Sequence, residues 1–206
     1  MSETALVVAI SGCSSSGKTT LARLLRDIFP STFILHQDDF YKPENECPVP
    51  QETIAALRTE VEDSLASIPG QPLGTRLSFC ILDGFLLFPE SMAPLQPHLD
   101  VKLFLRTTYA RAKARREARD GYVTIEGFWE DPPGYVDEIV WPNYVEEHAW
   151  MFRGGDVEGE FDHAVLRDSG IRVPGQRGDV NQDMGDTLKW AVDVLLDEIR
   201  RRSTGG

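Results

Sequence analysis

The chain has 206 residues, 41% hydrophobic, 26% charged and 9% aromatic, an ordinary globular mix that excludes a fibrous chain, a coiled coil and a wholly disordered one. Its 33 acidic against 21 basic residues leave a net charge of −12, a field that repels nucleic acid and anionic membrane unless cations cluster locally. Cys13, Cys47 and Cys80 are odd in number and form no C-x-x-C pair, no apolar run approaches a membrane span, and Met-Ser-Glu-Thr carries no basic leader; the expected setting is reducing and cytoplasmic, or also nuclear, with neither a disulfide framework nor a zinc site.

Residues 5–11 are a continuous apolar, β-branched run bounded by Gly12, the pattern of a strand buried on both faces. Residues 17–29 place Leu21, Leu24, Leu25 and Ile28 at helical spacing, and Pro30 stops them. A second short strand is predicted at 32–36, followed by Gln37-Asp38-Asp39-Phe40-Tyr41. A helix is predicted over 52–68 (Ile54, Leu57, Val61, Leu65, Ile68), then a Gly/Pro linker at 69–74. Residues 77–83 read as a third buried strand ending on Asp83, 101–105 as a fourth, and 109–119 as a helix. Residues 120–135, rich in Gly, Pro and aromatics, are expected to be a loop or lid. A helix is expected around Trp141-Pro142 over 138–151, a last strand at 163–166, and a C-terminal helix over 182–202 with Leu188, Ala191, Val192, Leu195, Leu196 and Ile199 on one face. Strands alternating with helices predict one α/β domain over 1–206, an open parallel sheet flanked by helices with right-handed crossovers and a mobile lid at about 115–135.

The run Gly12-Cys13-Ser14-Ser15-Ser16-Gly17-Lys18-Thr19 matches G-x-x-x-x-G-K-[ST] in full, entered by a predicted strand and left by a predicted helix. Small residues let successive backbone N–H groups wrap a phosphate at a helix N-terminus; Lys18 then supplies a point charge at the β- and γ-phosphates and the Thr19 hydroxyl a ligand for Mg²⁺. The fold class is therefore of P-loop NTPase type, with ATP or GTP, bound together with Mg²⁺, as the expected cofactors. Cys13 is read as a tolerated small side chain rather than a redox sensor. No Asn-Lys-x-Asp guanine reader is present, and Asp156-Val-Glu-Gly159 matches D-x-x-G outside any strand-end context, so a GTPase is disfavoured. The chain is short for a motor or transporter ATPase, which leaves a small kinase. Phosphoryl transfer to a hydroxyl needs a carboxylate at the acceptor, metal ligands and cations over the phosphates. Asp38, Asp39 and Asp83 each sit at the carboxyl end of a predicted strand, the edge where open α/β sheets bind ligands. Arg111, Lys113, Arg115, Arg116 and Arg119 share a helix that runs into the lid; such a face is ordinarily just solvated, but beside a phosphate site in an acidic chain it offers forked guanidiniums to phosphate.

Five stretches carry a resemblance: residues 10–21, 36–43 (His-Gln-Asp-Asp-Phe-Tyr-Lys-Pro), 81–88, 109–119 and 132–144 (Pro-Pro-Gly-Tyr-Val-Asp-Glu-Ile-Val-Trp-Pro-Asn-Tyr). Together they resemble the nicotinamide riboside kinases of the uridine-kinase-like branch of P-loop kinases, over most of residues 5–152. The resemblance implies transfer of the ATP γ-phosphate to the 5′-hydroxyl of nicotinamide riboside, or also nicotinic acid riboside, giving the mononucleotide for NAD biosynthesis. It implies Asp38 as proton acceptor and Mg²⁺ neighbour and Thr19 on Mg²⁺. Asp38, Asp39, Phe40 and Tyr41 would run along the substrate, with Asp83, Arg116 and Tyr135 also on it. Arg115 and Arg119 would serve ATP beside Gly12–Thr20 of the phosphate loop (including Thr20), and Asn181 and Gln182 the adenine side. Tyr41, Tyr135 and Trp141 are candidate faces for a pyridinium cation. Three departures stand. The stretch 121–131 reads as a longer lid than some members have. Asp83 occupies a position that is commonly Glu in the family. Residues 43–51 are too short for the family's aromatic–Asp loop, so either the pocket lacks that wall or the chain as written joins two segments across an omitted loop. The alternatives are a uridine/cytidine-type kinase on the same scaffold, or a nucleotide-binding sensor that has lost catalysis. The expected partner is a small-molecule substrate, with neither nucleic acid nor membrane; monomer and homodimer both stay open.

Overall fold

The computed structural model describes residues 4–37, 51–67, 77–118, 122–124, 127–175 and 182–204. Five parallel strands form one sheet: β1 (Thr4–Gly12), β2 (Thr32–His36), β3 (Leu77–Gly84), β4 (Val101–Leu105) and β7 (Ile171–Arg172), in the order β2-β3-β1-β4-β7. The central β1 alternates in the way a strand covered on both faces must. Leu6, Val8 and Ile10 enter one core with Phe79, Ile81, Leu103 and Leu105, packed under α1 (Lys18–Ile28), α2 (Gln51–Ser67) and α6 (Met184–Thr204). Ala9, on the opposite face, joins Phe104, Tyr144, Met151, Phe152, Phe161 and Leu166 in a second core.

The predicted elements on the first face recur within a residue or two. Those on the second face differ more. α3 (Tyr109–Glu117) starts where Thr108 caps it and the Glu158 carboxylate accepts from Tyr109 N at 2.9 Å. The stretch 120–135 holds a small antiparallel pair rather than only loop: β5 (Tyr122–Thr124) sets Tyr122 opposite Trp129 of β6 (Gly127–Trp129). Its β-branched and aromatic residues favour pairing more strongly than its Gly and Pro oppose it. A π-helical turn (Val136–Val140) leads into α4 (Trp141–His148), with Pro142 in its first turn as expected. The strand expected at 163–166 is instead α5 (His163–Asp168). Asp162 Oδ1 accepts from Ala164 N and Val165 N at 3.0 and 3.2 Å, and this cap selects a helix where four residues are too few for periodicity to decide. The last strand follows it, as β7.

At the far edge, Glu198 of α6 is 2% exposed and accepts from Arg201 Nη2 at 2.6 Å and Arg202 Nε at 2.8 Å. Burial alone would raise its carboxyl, but these guanidiniums hold it below the usual range. Arg202 also donates to Asp100, whose other oxygen accepts from Val7 N at 2.7 Å, so the helix end is tied to the entry of β1. No helix among the described residues is long and apolar enough to cross a membrane.

Candidate active site

The carboxyl ends of β1 and β3 lie side by side where the chain order in the sheet reverses, the crevice in which such sheets bind ligands. β1 empties into residues 13–17. Gly12, at φ +150°, passes so close to β4 that a Cβ would stand 1.8 Å from Leu105 O, and only glycine fits. Gly17, at φ +100°, turns the chain into α1, and a Cβ there would meet the Met184 methyl at 2.4 Å; the first residue of α6 therefore packs onto the phosphate loop. Gln182, just before it, is half-buried. Within the loop the Ser15 and Ser16 hydroxyls are buried without a hydrogen-bond partner, as donors reserved for a phosphate would be. Lys18 is 6% exposed and donates to Cys13 O at 3.0 Å, across the mouth of the same loop. Burial pushes the Cys13 thiol up to about 11, with Lys18 only partly opposing it, so the sulfur is a protonated filler.

Asp83, next to last in β3, lies beside Thr19. The Thr19 hydroxyl donates to Asp83 Oδ2 at 2.7 Å, while Oδ1 is buried and bare of any partner. The donor set fits a hard cation. Among the described residues no three His, Cys, Asp or Glu side chains converge, so an Mg²⁺ here would rest on one hydroxyl, carboxylate support and phosphate oxygens, its usual diet at such sites. Gln37 frames the same corner: its side-chain oxygen accepts from Phe85 N at 2.7 Å and Leu86 N at 3.3 Å, and it abuts Gly84, where a Cβ would stand 2.5 Å away.

The arginines of α3 face the loop. Arg115 Nη1 donates to Ser15 O at 2.9 Å; burial, then Arg111, lower its pKa. Arg116 Nη1 donates to the Ser14 hydroxyl at 2.7 Å, while its Nε and Nη2 grip Asp131 at 2.5 and 3.1 Å, and its guanidinium lies 5.6 Å from the centre of the Tyr135 ring. Lys113 is engaged elsewhere, with Asp137 at 2.5 Å. Trp141 packs on Tyr109 and Tyr144, at ring separations of 5.2 and 5.0 Å. The D-x-x-G run is a turn: Gly159 O accepts from Arg106 Nη1 at 2.6 Å, and Asp156 Oδ1 accepts from Glu158 N at 3.0 Å. Asp38, Asp39, Phe40, Tyr41, Arg119 and Asn181 lie outside the described residues. Thr20 is half-buried in the first turn of α1. Sequence reasoning gave no role to His36, although it opens the 36–43 stretch, nor to Asp131; only chain folding sets them against Asp83 and Arg116.

A nicotinamide riboside kinase of Schizosaccharomyces pombe is 32% identical over 243 aligned positions, covering 97% of this chain and 100% of that protein. The chain belongs to the nicotinamide riboside kinase family. A member from Saccharomyces cerevisiae is 32% identical over 78% of this chain and 85% of its own, and nicotinamide riboside kinase 1 of Mus musculus 33% over 70% and 79%. The 243 positions exceed the 206 residues of the chain, so the fission-yeast nicotinamide riboside kinase carries residues with no counterpart here. No protein-family model matches the chain. Among solved structures, thymidylate kinase from Candida albicans superposes with a TM-score of 0.47 at 15% identity, over 96% of this chain and 95% of that one.

Proposed function

We propose that this chain transfers the γ-phosphate of MgATP to the 5′-hydroxyl of nicotinamide riboside, and of nicotinic acid riboside, to give the mononucleotide and ADP for NAD biosynthesis. The observation that carries this reading is the convergence of Lys18, Thr19, Asp83, Arg115 and Arg116 on one phosphate loop, in a chain aligned along its length with kinases of that name.

The roles follow from charge and reach. Backbone N–H groups of residues 13–17, with the Ser15 and Ser16 hydroxyls, cradle the β-phosphate, and Lys18 spans the β- and γ-phosphates. Thr19 and Asp83, with Asp38 beside them, would hold Mg²⁺, which would supply charge neutralisation at the phosphate oxygens. Asp38 orients the 5′-hydroxyl and takes its proton as the oxygen bonds to the γ-phosphorus and the bond to the β–γ bridging oxygen breaks. Arg115, with Arg119, stabilises the phosphates of ATP. Arg116 exchanges its grip on Asp131 and Ser14 for the substrate ribose, with Tyr135 alongside it. Asp39, Phe40 and Tyr41 line the nucleoside, and Asn181 and Gln182 the adenine. Residues 115–135 act as a lid on a single kinase domain, 1–206, working in the cytoplasm on small molecules rather than on nucleic acid or membrane.

The test is a panel of nucleosides with MgATP, reading ADP release. Turnover of nicotinamide riboside should exceed that of uridine and cytidine at least about tenfold, the discrimination one well-placed polar or stacking contact supplies. Preference for uridine would overturn the substrate, and silence with every nucleoside would overturn the kinase.

A further inference from the structure

Asp83 is 2% exposed, and what surrounds it is lopsided. The parallel register of β2 and β3 sets His36 directly beside it. His36 Nδ1 lies 2.9 Å from Asp83 Oδ2, the same oxygen that accepts the Thr19 hydroxyl at 2.7 Å, while Oδ1 is buried with no partner. An ionised carboxylate only accepts, so Nδ1 must carry a hydrogen and donate it. Leaving one oxygen of a buried carboxylate bare while the other is doubly satisfied costs free energy, a cost that a ligand on that oxygen would relieve. Thr19 must also spend its only proton on Oδ2, which leaves its lone pairs, with Asp83 Oδ1, as the acceptors still open to a cation.

We infer that His36 is a positioning residue for the metal side of this site: its Nδ1–H fixes the Asp83 carboxylate so that Oδ2 takes the Thr19 proton and Oδ1 stays available to the Mg²⁺ of MgATP. The inference rests on the reading of the phosphate loop as an MgATP site. His36 touches neither ATP nor nucleoside in this role and acts through Asp83.

The experiment measures ATP binding calorimetrically with and without Mg²⁺, independent of turnover. In the wild-type chain Mg²⁺ should tighten ATP binding. In His36→Leu the Kd for ATP without metal should be unchanged, while the Mg²⁺ concentration that gives half the tightening rises about 10–100-fold, the usual cost of losing a group that orients a metal ligand. His36→Asn, whose amide nitrogen can stand where Nδ1 stands, should restore most of it; a merely structural role would not track the donor. Long-range ¹H–¹⁵N NMR of the wild-type His36 ring should show Nδ1 protonated, a readout that needs no variant to fold. Unaltered Mg²⁺ dependence in His36→Leu, or a bare Nδ1, overturns the inference alone. A wild-type chain whose ATP binding ignores Mg²⁺ overturns the site reading, and the inference with it.

Discussion

In the proposed reaction Lys18 serves the phosphates and Asp38 the attacking hydroxyl, and their loss should look different. The Lys18 ammonium, nearly buried beside Cys13 O, acts where water is scarce and a charge counts for more. Lys18→Ala should lower kcat/KM by about 10²-fold or more, as removal of a preorganised group on developing phosphate charge does. Near-wild-type turnover in a folded variant would remove the phosphate loop from the chemistry. The family resemblance assigns proton transfer to Asp38, the first acid of the pair, so Asp38 and Asp39 are expected to do different work. Asp38→Asn should cut kcat by about 10²–10⁴-fold, the range for an acid–base group, with nucleotide Kd little altered. Asp39→Asn should affect mainly stability or local order; steady-state kinetics and nucleotide binding on both variants decide, and the reverse ranking sinks the assignment.

At the scale of elements, α3 fully buries only Ala112, so polar contacts carry much of what holds it. Its start is pinned by Thr108 and Glu158, and its end leans on the phosphate loop through Arg115 and Arg116. The two arginines are adjacent in sequence but engage different groups, a backbone carbonyl in one case and Asp131 with Ser14 in the other. Arg115→Ala should therefore raise the KM for ATP more than that for the nucleoside, and Arg116→Ala the reverse. Equal effects on both constants would show that the division of labour is wrong. That the arginine face would lie near the phosphate loop was the expectation from composition beside the motif, and Arg115 and Arg116 do contact Ser15 and Ser14. That Lys113 instead binds Asp137, and that Asp131 occupies the Arg116 fork, depended on where 131–137 pack.

Across the whole molecule, α4 delivers a buried imidazole to the second core. His148 is fully enclosed; Nδ1 donates to Tyr144 O at 2.9 Å, and the ring lies 4.7 Å from that of Tyr144 and 5.4 Å from that of Phe104. Burial pulls its pKa down to about 4. The folded chain thus stays unprotonated while an unfolded histidine, at about 6.5, takes up a proton. Stability from this group is complete above pH 6.5 and is lost as the pH falls to about 4, about 3 kcal/mol in all at 1.36 kcal/mol per pH unit. Urea titrations at stepped pH should show this acid limb, and His148→Leu should flatten it between pH 6.5 and 4.5 while lowering stability at neutral pH. An acid limb unchanged in His148→Leu would place the loss elsewhere.

The sequence by itself determined the strands and helices of the first core, the phosphate loop and the family, because each is written locally: a β-branched run, an i, i+3, i+4 stripe, a glycine spacing whose backbone must wrap a phosphate. Where local signals were short or mixed they misled. Four residues at 163–166 could not distinguish helix from strand until the Asp162 side chain closed a cap, and the Gly/Pro-rich stretch after α3 concealed a pair of strands. Only the tertiary structure decided that His36 stands beside Asp83, that Met184 rests on the phosphate loop, and that Arg106 turns a D-x-x-G run into a brace for α3. These contacts join residues 47 to 167 positions apart in the chain, and no pattern along one segment encodes which segment will lie next to it.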